Sequence, residues 1–109
     1  MRNNDYFTVA YKILSYLRKC YENGEDADPN ILTADTFKIS KKQFLRTLQM
    51  LLEDGYIKGL SLESTIGGPT IVSNLSWSRI TSSGLQYLSE NSMMKKAYKA
   101  LKEVRDWLS

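Results

Sequence analysis

The stretch Ser40–Leu60, SKKQFLRTLQMLLEDGYIKGL, contains the change of pattern that decides the fold. Ser40 followed three positions later by Gln43 matches a capping box, in which a serine hydroxyl takes up a backbone N–H of the first helical turn. Phe44, Leu45, Leu48, Leu51 and Leu52 then recur at helical spacing and make an apolar face. Lys42, Gln43, Arg46, Gln49 and Glu53 occupy the opposite face, with Thr47 and Met50 towards its edge. Asp54-Gly55 closes a helix over 40–54. From Tyr56 the period changes: Ile57, Leu60 and Leu62 are separated by polar residues, which predicts a strand over 56–62.

Downstream, Ser64–Pro69 is rich in turn formers and leads into the β-branched run Thr70–Val72, a second strand over 70–73. Trp77–Ile80 reads as a third short strand, 77–80, or as the end of a long loop. Thr81 or Ser82 then caps a helix over 82–90 whose inward residues are Leu85 and Leu88. Gly84 falls in its first turn, where glycine costs up to about 1 kcal/mol relative to alanine. The expected compensation is close approach of another backbone, from the hairpin or the first helix. A last helix is expected over 92–108, with a stripe of Met94, Ala97, Tyr98, Leu101, Val104 or Arg105, and Leu108. An isolated helix of that length is marginal in water. Its stripe therefore needs a partner surface, either the first helix or a second subunit.

Upstream, Asp5 caps a helix over 5–22 with a stripe of Phe7, Ala10, Ile13, Leu14, Leu17 and Tyr21. Asn23-Gly24 ends it, and an acidic connector runs from Glu25 to Pro29. A short helix over 33–38, capped by Thr33 and packed by Leu32 and Phe37, is favoured over a strand at Ile31-Leu32. Helix, short helix, capped helix, hairpin, helix is the order of an α+β winged helix-turn-helix. A single domain spanning 1–109 is expected from the length of 109 residues.

Composition narrows the chemistry. Hydrophobic residues make up 42% and charged residues 25%, enough for a core and against disorder. A single cysteine, Cys20, excludes an internal disulfide, and the absence of histidine excludes His-ligated metals and His general-base catalysis. No apolar run is long enough to span a bilayer and the N-terminus lacks a secretory leader, so a cytoplasmic protein is expected, with no membrane partner. Gly67-Gly68 lacks the Lys-Ser/Thr continuation of a phosphate loop. No catalytic residue, cofactor or metal is expected. The net charge of +3 permits nucleic-acid binding, and the positive excess lies in 40–62 and in the tail.

YIKGL at 56–60, ITSSGLQYLSEN at 80–91 and SMMKKAYKALKEVRDWLS at 92–109 resemble the YjcQ family of small winged-helix proteins from Gram-positive bacteria and their phages or prophages. Ala97-Tyr98-Lys99 through Asp106-Trp107-Leu108 is the more specific part. The connector after Gly24 and the region 65–76 are longer than the family's compact pattern. The resemblance implies a fold without an established activity.

In this motif the second helix of the pair enters the major groove of double-stranded DNA. The candidate DNA contacts are Lys41, Lys42, Gln43, Arg46 and Gln49, with Lys58 meeting a phosphate at the wing base. Gln43 is also the capping residue, and Arg46 is the leading reader. The segment 63–72 carries no Arg or Lys, which argues against a wing that grips phosphates. The competing expectation is a protein-interaction module or phage accessory protein, working as a homodimer or with another protein. Its surface would involve Lys95, Lys99, Lys102 and Trp107, and Tyr6, Tyr11, Tyr16 and Trp77 are further candidate contacts.

Overall fold

The computed structural model describes residues 5–91. It is an α+β structure with the layout of a winged helix. The order is α1 (Tyr6–Asn23), α2 (Ala34–Phe37), α3 (Lys41–Glu53), β1 (Ile57–Lys58), β2 (Ser61–Ser64), β3 (Thr70–Ser73), β4 (Arg79–Ile80) and α4 (Ser82–Glu90). The helix expected over 92–108 lies outside the described residues, as do Lys95, Lys99, Lys102 and Trp107.

The four helix starts follow the local chemistry read above. The side chains of Asp5, Thr33, Ser40 and Thr81 accept from the backbone N–H groups of Thr8, Thr36, Gln43 and Gly84. Each satisfies a donor that a helix leaves without an internal partner. Ile31 and Leu32 form a turn, not a strand, because both backbone N–H groups donate to the Asp28 carbonyl. Leu32 and Phe37 are buried, as expected for the short helix, and Phe37 stacks on Phe44 at 5.9 Å between ring centroids.

α1 is the centre of the molecule. Every residue from Thr8 to Leu17 is buried, and α1 packs against α3, α4 and β4. The expected single apolar stripe is therefore corrected in two ways. Phe7 is 59% exposed at the edge of the face, and Tyr21 is 67% exposed in a last turn whose neighbours Glu22–Asp26 are also exposed. The inward residues are Val9, Ala10, Ile13, Leu14, Leu17 and Cys20, and the helix buries Thr8, Lys12 and Ser15 as well. Of the aromatic candidates, Tyr11 and Tyr16 are core residues, Tyr6 is half-buried and Trp77 is exposed.

The hairpin is interrupted. β1 pairs antiparallel with β4 through Ile57–Ile80 and Lys58–Arg79, and β2 pairs with β3 in four registers from Ser61–Ser73 to Ser64–Thr70. Two residues separate β1 from β2 but five separate β3 from β4. The longer side takes a left-handed residue at Asn74 (φ 63°) and a 3-10 turn over Leu75–Trp77. The single strand expected over 56–62 is thus two strands. The strand expected over 77–80 is only Arg79–Ile80, with Trp77 in the turn. Gly59 makes the break feasible: its φ is +99°, and a Cβ there would overlap the Trp77 carbonyl.

Gly84 meets the expectation of a close approach. A Cβ on it would overlap the carbonyl oxygen of Tyr56 and stand 2.7 Å from Ile80 Cγ1. The backbone approached is the start of the hairpin. Thr81 closes the same junction: its N–H donates to the Tyr56 carbonyl at 3.0 Å and its hydroxyl to the Gly55 carbonyl. Tyr56 and Tyr87 stack beside it at 4.5 Å.

Gly84→Ala is expected to destabilise the protein by about 1–3 kcal/mol, the range for a methyl forced into filled space. Ser83→Ala, at an exposed neighbour, should stay within about 0.5 kcal/mol. Urea denaturation of both variants checks this, and equal stabilities would contradict the junction.

Candidate nucleic-acid interface

α3 is held from below and open above. Phe44, Thr47, Leu48 and Leu51 are buried, while Lys41, Lys42, Arg46, Gln49 and Met50 are exposed. Thr47, expected towards the exposed side, is instead 3% exposed, and its hydroxyl donates to the Gln43 carbonyl at 2.8 Å. Leu45 and Leu52, expected in the buried face, are half-buried on its flanks. Thirteen residues at 1.5 Å per residue make α3 about 20 Å long.

The expected contact residues separate into four groups. Lys42, Gln43 and Arg46 border a shallow hollow of about 320 Å³ shared with Tyr6, Thr47 and Met50. Lys41 lies on the other flank. It lines an open groove of about 740 Å³ between α2, the start of α3 and β3, whose apolar lining includes Leu32, Ile39, Phe44, Leu45, Ile71 and Val72. Gln49 stands further along the crest and donates to Glu53 at 3.3 Å, so base contact would require it to leave that partner. Lys58 lies apart from α3. It faces outward beside Arg79, because their strand neighbours Ile57 and Ile80 face the core.

Charge is distributed along α3 against its own dipole. The cations Lys41 and Lys42 lie in the first turn and the carboxylates Glu53 and Asp54 at the other end. Cations near a helix N-terminus are mildly unfavourable for the helix itself. Lys41, Lys42 and Arg46 form no ion pair with another described residue. Among the described residues, the crest thus presents uncompensated positive charge over its first two turns, on a capped and well-packed support. Tyr6, at the rim of this face, has its phenol pushed up to about 12, first by burial and then by Tyr87, Asp54 and Tyr56 nearby.

The wing tip carries no counterpart. Thr65–Pro69 forms the turn, with the Thr65 hydroxyl donating to the Pro69 carbonyl at 3.0 Å. Ile66 is fully exposed there, and Glu63 is the charged residue of the distal strands. The basic residues associated with the wing are at its base, Lys58 and Arg79. Arg79 was not among the expected contacts. The signal that finds it is its register opposite Lys58, which is visible only once the strands are paired.

These elements define a small winged-helix-type α+β protein with a basic outer face on its third helix. The chain belongs to the YjcQ family, whose model, described as YjcQ protein, matches residues 11–107. Comparison with curated proteins and with solved structures returned no match. No helix of the described residues is long and apolar enough to cross a membrane, and no group of metal-ligating side chains occurs among them.

Because the Tyr6 phenol is raised in the folded state, the unfolded chain loses its proton first as pH rises. Tyr6 therefore withdraws stability from about pH 10, its ordinary value, up to about 12. Tyr6→Phe should flatten the fall of melting temperature with pH across that window, leaving the neutral-pH circular dichroism spectrum unchanged. An identical alkaline profile for both proteins would refute the assignment.

Proposed function

We propose that this YjcQ-family chain is a non-catalytic double-stranded DNA-binding protein of the kind that regulates transcription in phages and prophages. α3 would enter the major groove, with Arg46 reading a base edge and Lys41 and Lys42 neutralising phosphates. The observation that carries this reading is the exposed set Lys41, Lys42 and Arg46, without an ion-pair partner among the described residues, on a helix whose opposite side is anchored in the core. Arginine makes bidentate contacts to guanine, and phosphate neutralisation supplies much of the affinity for a duplex. An uncharged wing tip adds little to this, so a single copy binds weakly and two copies on adjacent half-sites bind better.

A second reading rests on the apolar groove between α2, α3 and β3. A hydrophobic protein segment would fit there, making the fold an interaction scaffold. The two readings respond differently to salt, because apolar docking does not release counterions.

Anisotropy of labelled genomic duplex fragments between about 50 and 200 mM salt is the direct test, with affinity expected to fall steeply. Arg46→Ala should weaken binding by about 1–3 kcal/mol at a selected site. Lys41→Ala should lower the salt slope by about 1 across all sequences. Binding that ignores salt and both substitutions would shift the assignment to protein interaction.

A further inference from the structure

We infer that the base of the wing is a separate binding site for single-stranded nucleic acid, built from Lys58, Arg79, Trp77 and Ser78. It does not depend on the reading of α3. Lys58 and Arg79 are direct register partners on the outer face of the β1–β4 pair. Their Cα atoms are therefore about 4.5–5.5 Å apart. Like charges directly opposite one another destabilise an antiparallel pair. Neither cation has an ion-pair partner among the described residues. An anion lying across both removes that repulsion, and a nucleic-acid phosphate has the charge to do so.

Trp77 supplies the second component. It is 65% exposed, the most solvent-open of the large aromatic side chains after Tyr21 among the described residues. Its position is nonetheless fixed, because the 3-10 turn bonds its N–H to the Asn74 carbonyl at 2.9 Å and its own carbonyl lies against Gly59. Lys58, Gly59, Trp77 and Arg79 line one hollow of about 260 Å³. The same two cations also border a groove of about 380 Å³ that runs past Ser76 and Ser78 to Tyr21. The cation pair thus borders both the hollow that holds Trp77 and the groove. In that groove Ser78 is 4% exposed and its hydroxyl has no hydrogen-bond partner among the described residues, although buried polar groups are nearly always satisfied.

Cations that track a backbone beside an aromatic ring that accepts a base are the elements of single-strand recognition. A duplex keeps its bases stacked and cannot offer one to Trp77. Glu25 and Asp26 also line this groove, and their carboxylates disfavour a phosphate beside them, so phosphates are directed to Lys58 and Arg79.

The test uses the full chain in a Trp107→Phe background, which leaves Trp77 as the single tryptophan, with a fluorescein-labelled thymidine oligonucleotide as probe. The expected result is quenching of Trp77 emission together with a rise in probe anisotropy. Trp77→Ala should weaken binding roughly five- to a hundredfold, with Trp77→Phe restoring most of it. The double variant Lys58→Gln, Arg79→Gln should lower the salt slope by about 1.4. Both positions are exposed and the variant removes the cross-strand repulsion, so a melting temperature equal to or slightly above the parent's is expected and verifies the fold. Arg46→Ala should leave oligonucleotide binding unchanged, and Trp77→Ala should leave duplex binding unchanged, which separates this site from α3. Absence of quenching, binding insensitive to these variants, or equal quenching by polyglutamate would overturn the proposal, the last in favour of an acidic polypeptide.

Discussion

The contact of Gly84 with the Tyr56 carbonyl sets the geometry on which the rest depends. It is a backbone-to-backbone approach that no side chain other than hydrogen permits. It brings the first turn of α4 against the end of α3 and the start of β1, and Thr81 bonds to Gly55 and Tyr56 across the same joint. One threonine therefore caps α4, closes β4 onto the chain leaving α3, and fixes the angle at which the hairpin departs. The Tyr56–Tyr87 stack fills the space beside it. With α1 buried along its middle, α3 has one orientation in which Phe44, Leu48 and Leu51 reach the core. Its basic crest faces outward as a consequence.

Electrostatics then divide the surface. Positive charge collects on the first half of α3 and at the foot of the wing, and is missing from the wing tip. A helix with lysines in its first turn and carboxylates at its end gains nothing from its own dipole. Cross-strand cations gain nothing from each other. Both arrangements are mildly unfavourable for folding, and both become favourable beside a polyanion. Membership of the YjcQ family leaves the chemistry to be read from these side chains.

Much of the fold was legible in the sequence because the signals were local. Asp5, Thr33 and Ser40 mark helix starts through hydroxyl or carboxylate caps, and of the two candidates Thr81 and Ser82 it is Thr81 that caps the fourth. Gly84 announced a close approach through its own unfavourable propensity. The misreadings arose where tertiary context overrides local pattern. Phe7 and Tyr21 fit a helical stripe, but one sits at the edge of the face and the other in a projecting turn. Thr47 looked like surface, yet its hydroxyl is satisfied by the Gln43 carbonyl one turn back and can be buried without penalty. The break at Gly59 and Asn74 leaves no periodic trace, so the strands are shorter than the spans 56–62 and 77–80 that the pattern suggests. The basic residues of α3 were visible directly. The pairing of Lys58 with Arg79 was not, since register depends on how many residues each side of the hairpin spends at the interruption.

That interruption also separates two levels of stability. β1 and β4 place Ile57 and Ile80 in the core, whereas no residue from 61 to 77 is buried. Beyond the break, the distal hairpin rests on its own four-register ladder and on partly buried Leu62, Val72 and Leu75. Segments with few buried apolar contacts open at lower free energy than the core. The distal wing is thus a sub-global unit whose amides exchange with solvent ahead of those of α1. A ligand that orders it does so at the expense of binding free energy, without drawing on the packing that holds the helices together.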